Sequence, residues 1–413
     1  MMNWEKLLSS DRFDSSKKEN SSPESFRSEF EIDYDRIIFS APFRNLQDKT
    51  QVFPLPENDF VHTRLTHSLE VSSVGRSLGK SAGEYLISKY PNLAEKGIHS
   101  SDFGAIVAAA ALAHDIGNPP FGHAGEEAIS DFFKHHPYGY IWRTHVKPHE
   151  WDDLTNFEGN AQGFRMLVSK DNGLKLSYAT LAAFTKYPRP SHIFKRDHNR
   201  RSQKKFGFFT DQQKDYAQLA SELGLTKINA ECWLRHPLAF LVEAADDICY
   251  SIIDLEDGCT MGLVSIEQTI ELLAEILGDK FKPEKLEKYK TDSQKLAILR
   301  AMTIGSLISE AVEAFCANEE AILSGDFDQA LTDIIPSAKP LEKISHLSVK
   351  KIYRSKPVLE KEAAGFQVLE GLLEVFSKAL NHKFYQTELY SGKDKSILRL
   401  LPEDFPLDGW EIK

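Results

Sequence analysis

The chain has 413 residues, 41% hydrophobic and 27% charged, and its 50 Lys and Arg against 61 Asp and Glu give a net charge of −11. These proportions describe a soluble globular protein with enough chain for a large core or for two domains. Because no uncharged apolar run is long enough to span a membrane and the first residues lack a signal-peptide core, we expect a cytoplasmic protein with no membrane partner.

The acidic balance argues against a protein that coats nucleic acid nonspecifically, because such binding depends mainly on Lys and Arg. A local basic cluster can still hold phosphate, and residues 186–205 carry eight Lys and Arg against one Asp. This segment is either a solvated loop or a phosphate-binding surface that single-stranded nucleic acid would fit. The four cysteines are too few and too scattered for a disulfide framework or a thiolate zinc site.

Residues 9–30 are rich in Ser, Lys, Glu and Asp, so we expect a mobile or peripheral N-terminal arm over 1–30. Strand signals are sparse after that arm. Apolar residues instead recur at helical spacing in four long segments, 65–86, 105–113, 238–255 and 363–376. The sequence therefore predicts a mainly α fold.

The residues most informative about chemistry are His67, the adjacent pair His114 and Asp115, and Asp246. Imidazole nitrogen and carboxylate oxygen bind divalent first-row metals or Mg²⁺, and two His with two Asp leave positions for water and a phosphate oxygen. We expect His67 within a helix that starts near Val61, the pair at the end of the Ala-rich helix, and Asp246 on a third helix. Each residue alone is a weak signal, since a lone His is more often structural.

The context of Asp246 strengthens this hypothesis. Asp246, Tyr250 and Asp254 recur every four residues on one helix face, opposite a continuous apolar stripe. Such a face is either solvated or lines a polar pocket. Only the second alternative is compatible with a metal site.

Five sequence blocks follow one another along the chain: F-R-N-L-Q-D-K-T-Q-V-F at 43–53, R-L-T-H-S-L-E at 64–70, H-D-I-G-N-P-P-F-G-H-A-G-E at 114–126, N-F-E-G-N-A-Q-G-F-R at 156–165 and E-A-A-D-D-I-C-Y-S-I-I-D-L-E-D-G at 243–258. Together they resemble the HD-domain deoxynucleoside triphosphate triphosphohydrolases, specifically the bacterial deoxyguanosine triphosphate triphosphohydrolase (dGTPase) type. The resemblance spans roughly residues 31–376. It implies an HD-domain helical fold with additional C-terminal helices.

The resemblance also implies a domain organisation and an activity. The HD catalytic core would cover 31–260, with the HD motif region at 62–256, and a helical C-terminal region over 261–413 would complete the substrate site. The implied reaction is metal-dependent hydrolysis of a deoxynucleoside triphosphate (dNTP), with dGTP as the expected substrate. The products would be the deoxynucleoside and intact tripolyphosphate.

The residues that carry this activity follow from the matching positions. One divalent ion, which could be Mg²⁺, Mn²⁺, Fe²⁺, Ni²⁺ or Co²⁺, would be bound by His67, His114, Asp115 and Asp246. The catalytic proton carriers would be His123 and Glu126. The substrate-binding positions would be Gln51, which would read the sugar 3′-hydroxyl, Val52, Arg64, Glu158, Lys186, Tyr187, Tyr250, Asp254 and Arg300.

Three further expectations accompany the resemblance. The family assembles as dimers or trimers of dimers, so a homo-oligomer is expected, and some relatives need a second, activating nucleotide. Relatives usually continue past a position like Trp410 into a further helix, whereas this sequence stops at Lys413. His123 and Glu126 also have a purely structural interpretation, as the start of a helix whose first-turn acids interact favourably with the helix dipole.

Three other functions remain open on the sequence. An HD phosphodiesterase acting on another nucleotide would use the same metal ligands but would lack the triphosphate-binding set. A nucleic-acid-binding protein could use the basic segment 186–205 and carry a vestigial HD site. A structural helical oligomer would tolerate loss of the metal.

Overall fold

The computed structural model describes residues 1–14, 27–49, 51–52, 62–193, 195–402 and 405. Within these ranges the chain forms helices and no named strand, with only two isolated bridges, Arg12 to Ser177 and Lys227 to Trp233. The mainly α prediction is therefore confirmed. No helix in the described part of the chain is both long enough and apolar enough to cross a bilayer.

The first half of the chain, up to residue 223, contains twelve α-helices among the described residues, of which α4 is the longest. They are α1 (Trp4–Leu7), α2 (Glu29–Ile38), α3 (Ala41–Arg44), α4 (Arg64–Lys89), α5 (Pro91–Glu95), α6 (Ser100–Ala113), α7 (Gly122–His135), α8 (Pro137–Tyr140), α9 (Pro148–Thr155), α10 (Gly159–Val168), α11 (Tyr178–Phe184) and α12 (Gln213–Leu223). Short 3₁₀ turns lie at Ile141–Thr144, Arg201–Gln203 and Thr210–Gln212.

The second half contains the additional C-terminal helices. They are α13 (Pro237–Thr260), α14 (Ile266–Leu277), α15 (Pro283–Leu286), α16 (Asp292–Ser324), α17 (Ala338–Ser348), α18 (Lys356–Phe384) and α19 (Gly392–Leu398). Between them lie 3₁₀ turns at Gly278–Lys280, Leu331–Asp333 and Thr387–Leu389 and a π-helical turn at Val349–Tyr353.

Helices α4, α6 and α13 form the centre of the core and pack against one another. Almost every side chain of α6 is buried, including the Ala run 108–111, because a helix that is apolar on all sides needs neighbours on all sides. Glycines on α4 let α6 approach closely: a Cβ on Gly79 would lie 2.6 Å from the carbonyl oxygen of Phe103. The three helices that carry the predicted metal ligands are thus held at short range.

The N-terminal residues before position 15 pack onto this core. Trp4 is buried, and its indole N–H donates to Glu319 on α16 at 2.6 Å. Leu7 and Leu8 are also buried. Most of the segment 9–30 that we expect to form a mobile arm lies outside the described residues, so the arm and the domain boundaries drawn from it stay predictions.

Helix α18 brings C-terminal residues to the N-terminal half of the chain by packing against α7. The backbone of Gly365 on α18 lies close to the ring of Phe121, the residue that precedes α7: a Cβ added to Gly365 would lie only 2.6 Å from this ring. The C-terminal part of the chain thereby helps to enclose the space beside α7. Trp410 and the residues after it lie outside the described ranges, as does Val61.

Candidate active site

His67 lies in the first turn of α4. The helix begins at Arg64 because Thr63 and Thr66 form a reciprocal cap, in which each side-chain oxygen accepts the backbone N–H of the other. This cap fixes the position of His67, which is buried and directs its Nε2 at Asp246 Oδ1, 3.3 Å away.

His114 and Asp115 follow the last residue of α6. His114 Nδ1 donates to the carbonyl oxygen of Ala111 at 2.7 Å, and because a carbonyl can only accept, this bond places a proton on Nδ1. Nε2 then lies 3.4 Å from Asp246 Oδ1 and 3.5 Å from Asp115 Oδ1. Burial lowers the pKa of His114, which favours the neutral ring with a lone pair on Nε2. A lone pair that faces carboxylate oxygens at these distances fits a bound cation.

Asp246, on α13, lies beside the imidazoles of His67 and His114 and also pairs with the ammonium of Lys186. Its Oδ1 faces both rings, and its Oδ2 accepts a hydrogen bond from Lys186 Nζ at 2.6 Å. Burial alone would raise the pKa of Asp246, but the ammonium of Lys186 and the hydrogen bond with His67 outweigh burial and hold the pKa well below its usual range. Asp246 is therefore ionised and available as a ligand.

Asp115 is held by two donors on its other side. Arg64 Nη1 donates to Asp115 Oδ2 at 2.6 Å, and the amide of Asn118 donates to Oδ1. Burial would raise the pKa of Asp115, yet the charge of the Arg64 guanidinium outweighs burial and lowers the pKa to about 2. These contacts orient an ionised carboxylate beside the imidazoles.

All four predicted metal ligands converge on one place. One ligand atom from each of His67, His114 and Asp115 lies within 4.8 Å of the others, and Asp246 contacts both imidazoles from α13. Two nitrogen and two oxygen donors suit a divalent first-row ion or Mg²⁺, and the electron-rich atoms that face one another fit such an ion. The cluster could therefore hold the metal that the resemblance implies.

His123 lies in the first turn of α7, which follows a tight turn, and Glu126 lies three residues later on the same helix. The turn places Phe121 and Gly122 at φ angles of 66° and 56°, a left-handed conformation that glycine adopts without strain. His123 Nδ1 donates to Glu126 Oε2 at 2.8 Å, and the His123 side chain is 83% exposed. Its other ring nitrogen, Nε2, is thereby left available for proton transfer.

Glu126 is anchored on the side away from His123. Its Oε1 accepts the backbone N–H of Gly159 at 2.7 Å, and Lys205 Nζ lies 3.6 Å from its Oε2. Burial would raise the pKa of Glu126, but the hydrogen bond from His123, the charge of Lys205 and the Gly159 N–H outweigh burial and lower it. Both carboxylate oxygens of Glu126 thus have partners, and the first turn of α7 holds no acidic residue, so the alternative of first-turn acids that favour the helix dipole does not describe Glu126.

A cavity of about 450 Å³ joins the predicted metal ligands to His123, one of the two predicted proton carriers. Its wall includes all four predicted ligands and His123. Six of the predicted substrate-binding residues also line it: Gln51, Val52, Arg64, Lys186, Tyr187 and Tyr250. Gln51 Oε1 is buried and has no hydrogen-bond partner among the described residues, so it is an acceptor that a bound hydroxyl could satisfy.

Three predicted substrate residues lie behind the cavity wall or away from it. Glu158 is buried and binds Lys205 Nζ at 3.0 Å. Asp254 is buried and accepts from the hydroxyl of Tyr353 at 2.8 Å. Arg300 donates to Glu256 at 2.7 Å and is not among the residues that line the cavity.

Several lining residues were missed by the sequence reasoning. Lys204 and Lys205 were noticed only as part of a basic run, and Asn118 only as part of a block. Apart from Gly122, the other missed lining residues are Phe121, Asn160, Tyr353, Val358 and Glu362. Tyr353, Val358 and Glu362 come from the π-helical turn and α18, where the sequence shows helical periodicity but no motif. Only the fold brings them to the site.

The basic segment 186–205 packs against the protein through most of its cations. The pairs that involve carboxylates are Lys186 with Asp246, Arg200 with Asp328, Arg201 with Glu243 and Lys205 with Glu158. Arg189 and Arg196 donate to backbone carbonyls. These contacts describe a docked loop with few charges left to replace counterions on nucleic acid, whose binding stays a prediction.

Comparison with known proteins agrees with this geometry. The HD domain family model matches residues 64–157, which include three of the four predicted metal ligands and both predicted proton carriers. A deoxyguanosinetriphosphate triphosphohydrolase-like protein of Synechocystis sp. is 42% identical over 397 residues, which cover 92% of this chain and 87% of that protein. The Pseudomonas aeruginosa protein of the same description is 40% identical over 421 residues, 100% of this chain and 93% of its own.

A relative that is named as the enzyme itself, without the suffix '-like', has a lower sequence identity to this chain. The deoxyguanosinetriphosphate triphosphohydrolase of Yersinia enterocolitica is 33% identical over 402 residues, which cover 85% of this chain and 77% of that protein. The similarity therefore extends over most of both chains and well past the matched HD segment, through Asp246 and α13.

Proposed function

The chain belongs to the HD-domain deoxyguanosinetriphosphate triphosphohydrolase family, and from this premise we propose that it hydrolyses dNTPs, dGTP foremost, to deoxynucleoside and tripolyphosphate. The observation that carries the proposal is the shared cavity, which the four predicted ligands, His123 and several cations line together. A divalent ion held there would polarise a phosphoryl oxygen and supply a water that ionises near neutral pH.

Cations around the cavity support the binding of a triphosphate. Arg64, Lys186, Lys204 and Lys205 all line it. A guanidinium presents a planar fork of donors to phosphate oxygens, whereas a lysine ammonium supplies a compact charge. The cavity thus combines orientation and charge neutralisation in a protein whose net charge is −11.

The His123–Glu126 pair supports proton transfer at the reacting phosphate. Glu126 fixes the ring through Nδ1, so Nε2 can hold or release a proton toward the cavity. Because Glu126 is itself anchored by Gly159 and Lys205, it holds the His123 ring in a fixed orientation. We assign His123 the proton transfer and Glu126 the orientation of the ring.

The sugar would be read between Gln51 and Tyr250. The free acceptor Oε1 of Gln51 suits a 3′-hydroxyl donor. Tyr250 stacks on Tyr353 with ring centroids 5.5 Å apart, and Tyr353 is itself tied to Asp254. A stacked and hydrogen-bonded pair makes a rigid wall, which would exclude the 2′-hydroxyl of a ribonucleotide.

The base would be read by Glu362 on α18. Glu362 lines the cavity together with the apolar side chains of Val52, Phe121 and Val358, which could pack against a base. The Watson–Crick edge of guanine presents N1–H and N2–H₂, two adjacent donors that a carboxylate can accept together. This match favours dGTP over the other dNTPs.

Steady-state rates test the proposed substrate class. We would measure hydrolysis of the four dNTPs and GTP, singly and in pairs, with Mn²⁺ or Mg²⁺ present. We expect dGTP to be preferred and GTP to be slow, while the paired mixtures reveal any activating nucleotide. GTP turned over as fast as dGTP would overturn the sugar argument, and dGTP ranking last in every mixture would overturn the base assignment.

We further propose a cytoplasmic homo-oligomer, a dimer or a hexamer. Exposed apolar residues Val368, Leu372 and Val375 recur at helical spacing on α18, which supports a contact with another copy. Light scattering at micromolar concentration would check this, and a stable monomer would contradict it.

A further inference from the structure

A second cluster of metal-binding side chains lies away from the cavity, on α9. His149 and Asp152 are three residues apart on this helix and therefore share a face. His192 reaches the same place from the loop that follows α11. One ring nitrogen of each histidine and one carboxylate oxygen of Asp152 all lie within 4.8 Å of one another. None of the three residues lines the cavity of the proposed reaction.

The spacing of the three groups is close to that of a metal centre. His192 Nδ1 lies 3.1 Å from Asp152 Oδ2, and the rings of His149 and His192 have centroids 4.2 Å apart. Tetrahedral zinc with bonds of about 2.0–2.2 Å places its ligand atoms about 3.3–3.5 Å apart. The His192–Asp152 pair is already near this separation, and the exposed His149 ring can turn about its side-chain bonds to complete the set.

The backbone around the cluster is held by other contacts. Asp153, which follows Asp152, accepts the hydroxyl of Ser191 and the backbone N–H of Thr210. Arg189 donates to the carbonyl oxygens of Pro190 and Ser191. The residues on either side of the ligands are thus fixed to each other, so an ion would meet ligands that are already arranged.

We propose that His149, Asp152 and His192 bind one zinc-type divalent ion, with water in the remaining position. Two imidazoles and one carboxylate are a zinc donor set, whereas Mg²⁺ and Ca²⁺ prefer oxygen ligands throughout. The ion cross-links α9 to the loop 185–209, whose two ends carry cavity-lining lysines, Lys186 at one end and Lys204 and Lys205 at the other. It therefore stabilises this loop, independently of the reaction catalysed.

Zinc binding to the full chain tests the proposal. We would deplete the protein of metal, titrate Zn²⁺ by equilibrium dialysis, and compare the wild type with Asp246→Asn, which disables the cavity site. We expect two ions per chain in the wild type and one in Asp246→Asn. In the Asp246→Asn background, His149→Ala and His192→Ala should each weaken the remaining site at least about tenfold. The matched control is His198→Ala, an exposed histidine of the same loop.

Protection of the loop gives a second readout. In Asp246→Asn, Zn²⁺ should slow proteolysis within residues 191–200, and His192→Ala should remove that protection while its far-UV circular dichroism stays unchanged. Three results would overturn the proposal: Asp246→Asn binds no zinc at all, the two histidine variants bind zinc as tightly as their parent, or His198→Ala weakens binding as much as they do.

Discussion

The imidazole of His114 donates its Nδ1 proton to the carbonyl oxygen of Ala111, 2.7 Å away on the last turn of α6. This one bond decides the chemistry of the other nitrogen, because it leaves the lone pair of Nε2 facing Asp115 and Asp246. A backbone carbonyl behind a metal-binding histidine fixes its ring orientation and raises its basicity. The orientation of this predicted metal ligand is thus set by a backbone carbonyl at the end of the buried, Ala-rich helix α6.

Asp246→Asn should abolish turnover and reduce metal affinity. The amide keeps the size of the side chain but removes the charge that faces both imidazoles and Lys186. Metal content after dialysis and dGTP hydrolysis measure the two effects. The matched control is Asp247→Asn, because burial and Glu243 raise the pKa of Asp247 to about 7 and its Oδ2 binds Thr332 instead. Equal losses in both variants would refute the ligand assignment.

His123→Ala and Glu126→Gln should each lower kcat by about 10²-fold or more, the usual scale for a lost proton carrier or its orienting partner. Metal binding should persist in both, because neither residue contacts the four ligands. Single-turnover rates and metal content are the measurements. His135→Ala, an exposed histidine later on α7, serves as the control. A normal rate in the His123 variant would exclude proton transfer by this residue.

Glu362→Gln should weaken the preference for dGTP by about tenfold or more in kcat/KM relative to dATP. The substituted amide can accept only one of the two guanine donors and places its own donor against the other. Competition between the two substrates in one mixture gives the ratio directly. Glu360→Gln changes an exposed glutamate of the same helix and should leave the ratio unaltered. An unchanged ratio in Glu362→Gln would place base recognition elsewhere.

His236 should make the fold sensitive to acid. Its Nε2 donates to the carbonyl of Leu7 at 3.0 Å and its Nδ1 accepts the N–H of Leu238 at 3.2 Å, so the buried ring fits only when neutral. Burial lowers the pKa of His236 from 6.5 to about 4. Between these values the unfolded chain binds the extra proton, so the free energy of unfolding falls by up to about 3 kcal/mol from pH 6.5 to pH 4.

Urea unfolding across this pH range measures that loss. His236→Gln can make both hydrogen bonds without titrating, so it should lose less stability than the wild type between pH 6.5 and pH 4. The same pH dependence in both proteins would show that His236 is not the sensor.

The sequence was most informative where metal-binding residue types occur within, or at the end of, segments with a helical apolar pattern. His67, His114, Asp115 and Asp246 were predicted as ligands, and the structure brings them together because glycines on α4 allow close packing against α6. The helices α6 and α13 were predicted from long apolar patterns. Such a pattern identifies a helix even when its predicted ends are wrong by a few residues.

Contacts between distant segments could not be read from the sequence. Glu362 lies on α18, far along the chain from the HD motif, and nothing in its local pattern separates it from exposed glutamates such as Glu360. Arg300, which the resemblance implies as a substrate residue, pairs with Glu256 on α13 and does not line the cavity, so its role stays a prediction. Local patterns identify helices, but the partners of a charged side chain depend on how those helices pack.

The products of dGTP hydrolysis test the central claim most directly. The metal-loaded protein would be incubated with dGTP, and the phosphate products would be separated by anion exchange beside standards of orthophosphate, pyrophosphate and tripolyphosphate. We predict one deoxyguanosine and one tripolyphosphate for each dGTP consumed, both abolished by Asp246→Asn. Orthophosphate with dGDP, or pyrophosphate with dGMP, as the first products would contradict the proposed triphosphohydrolase reaction.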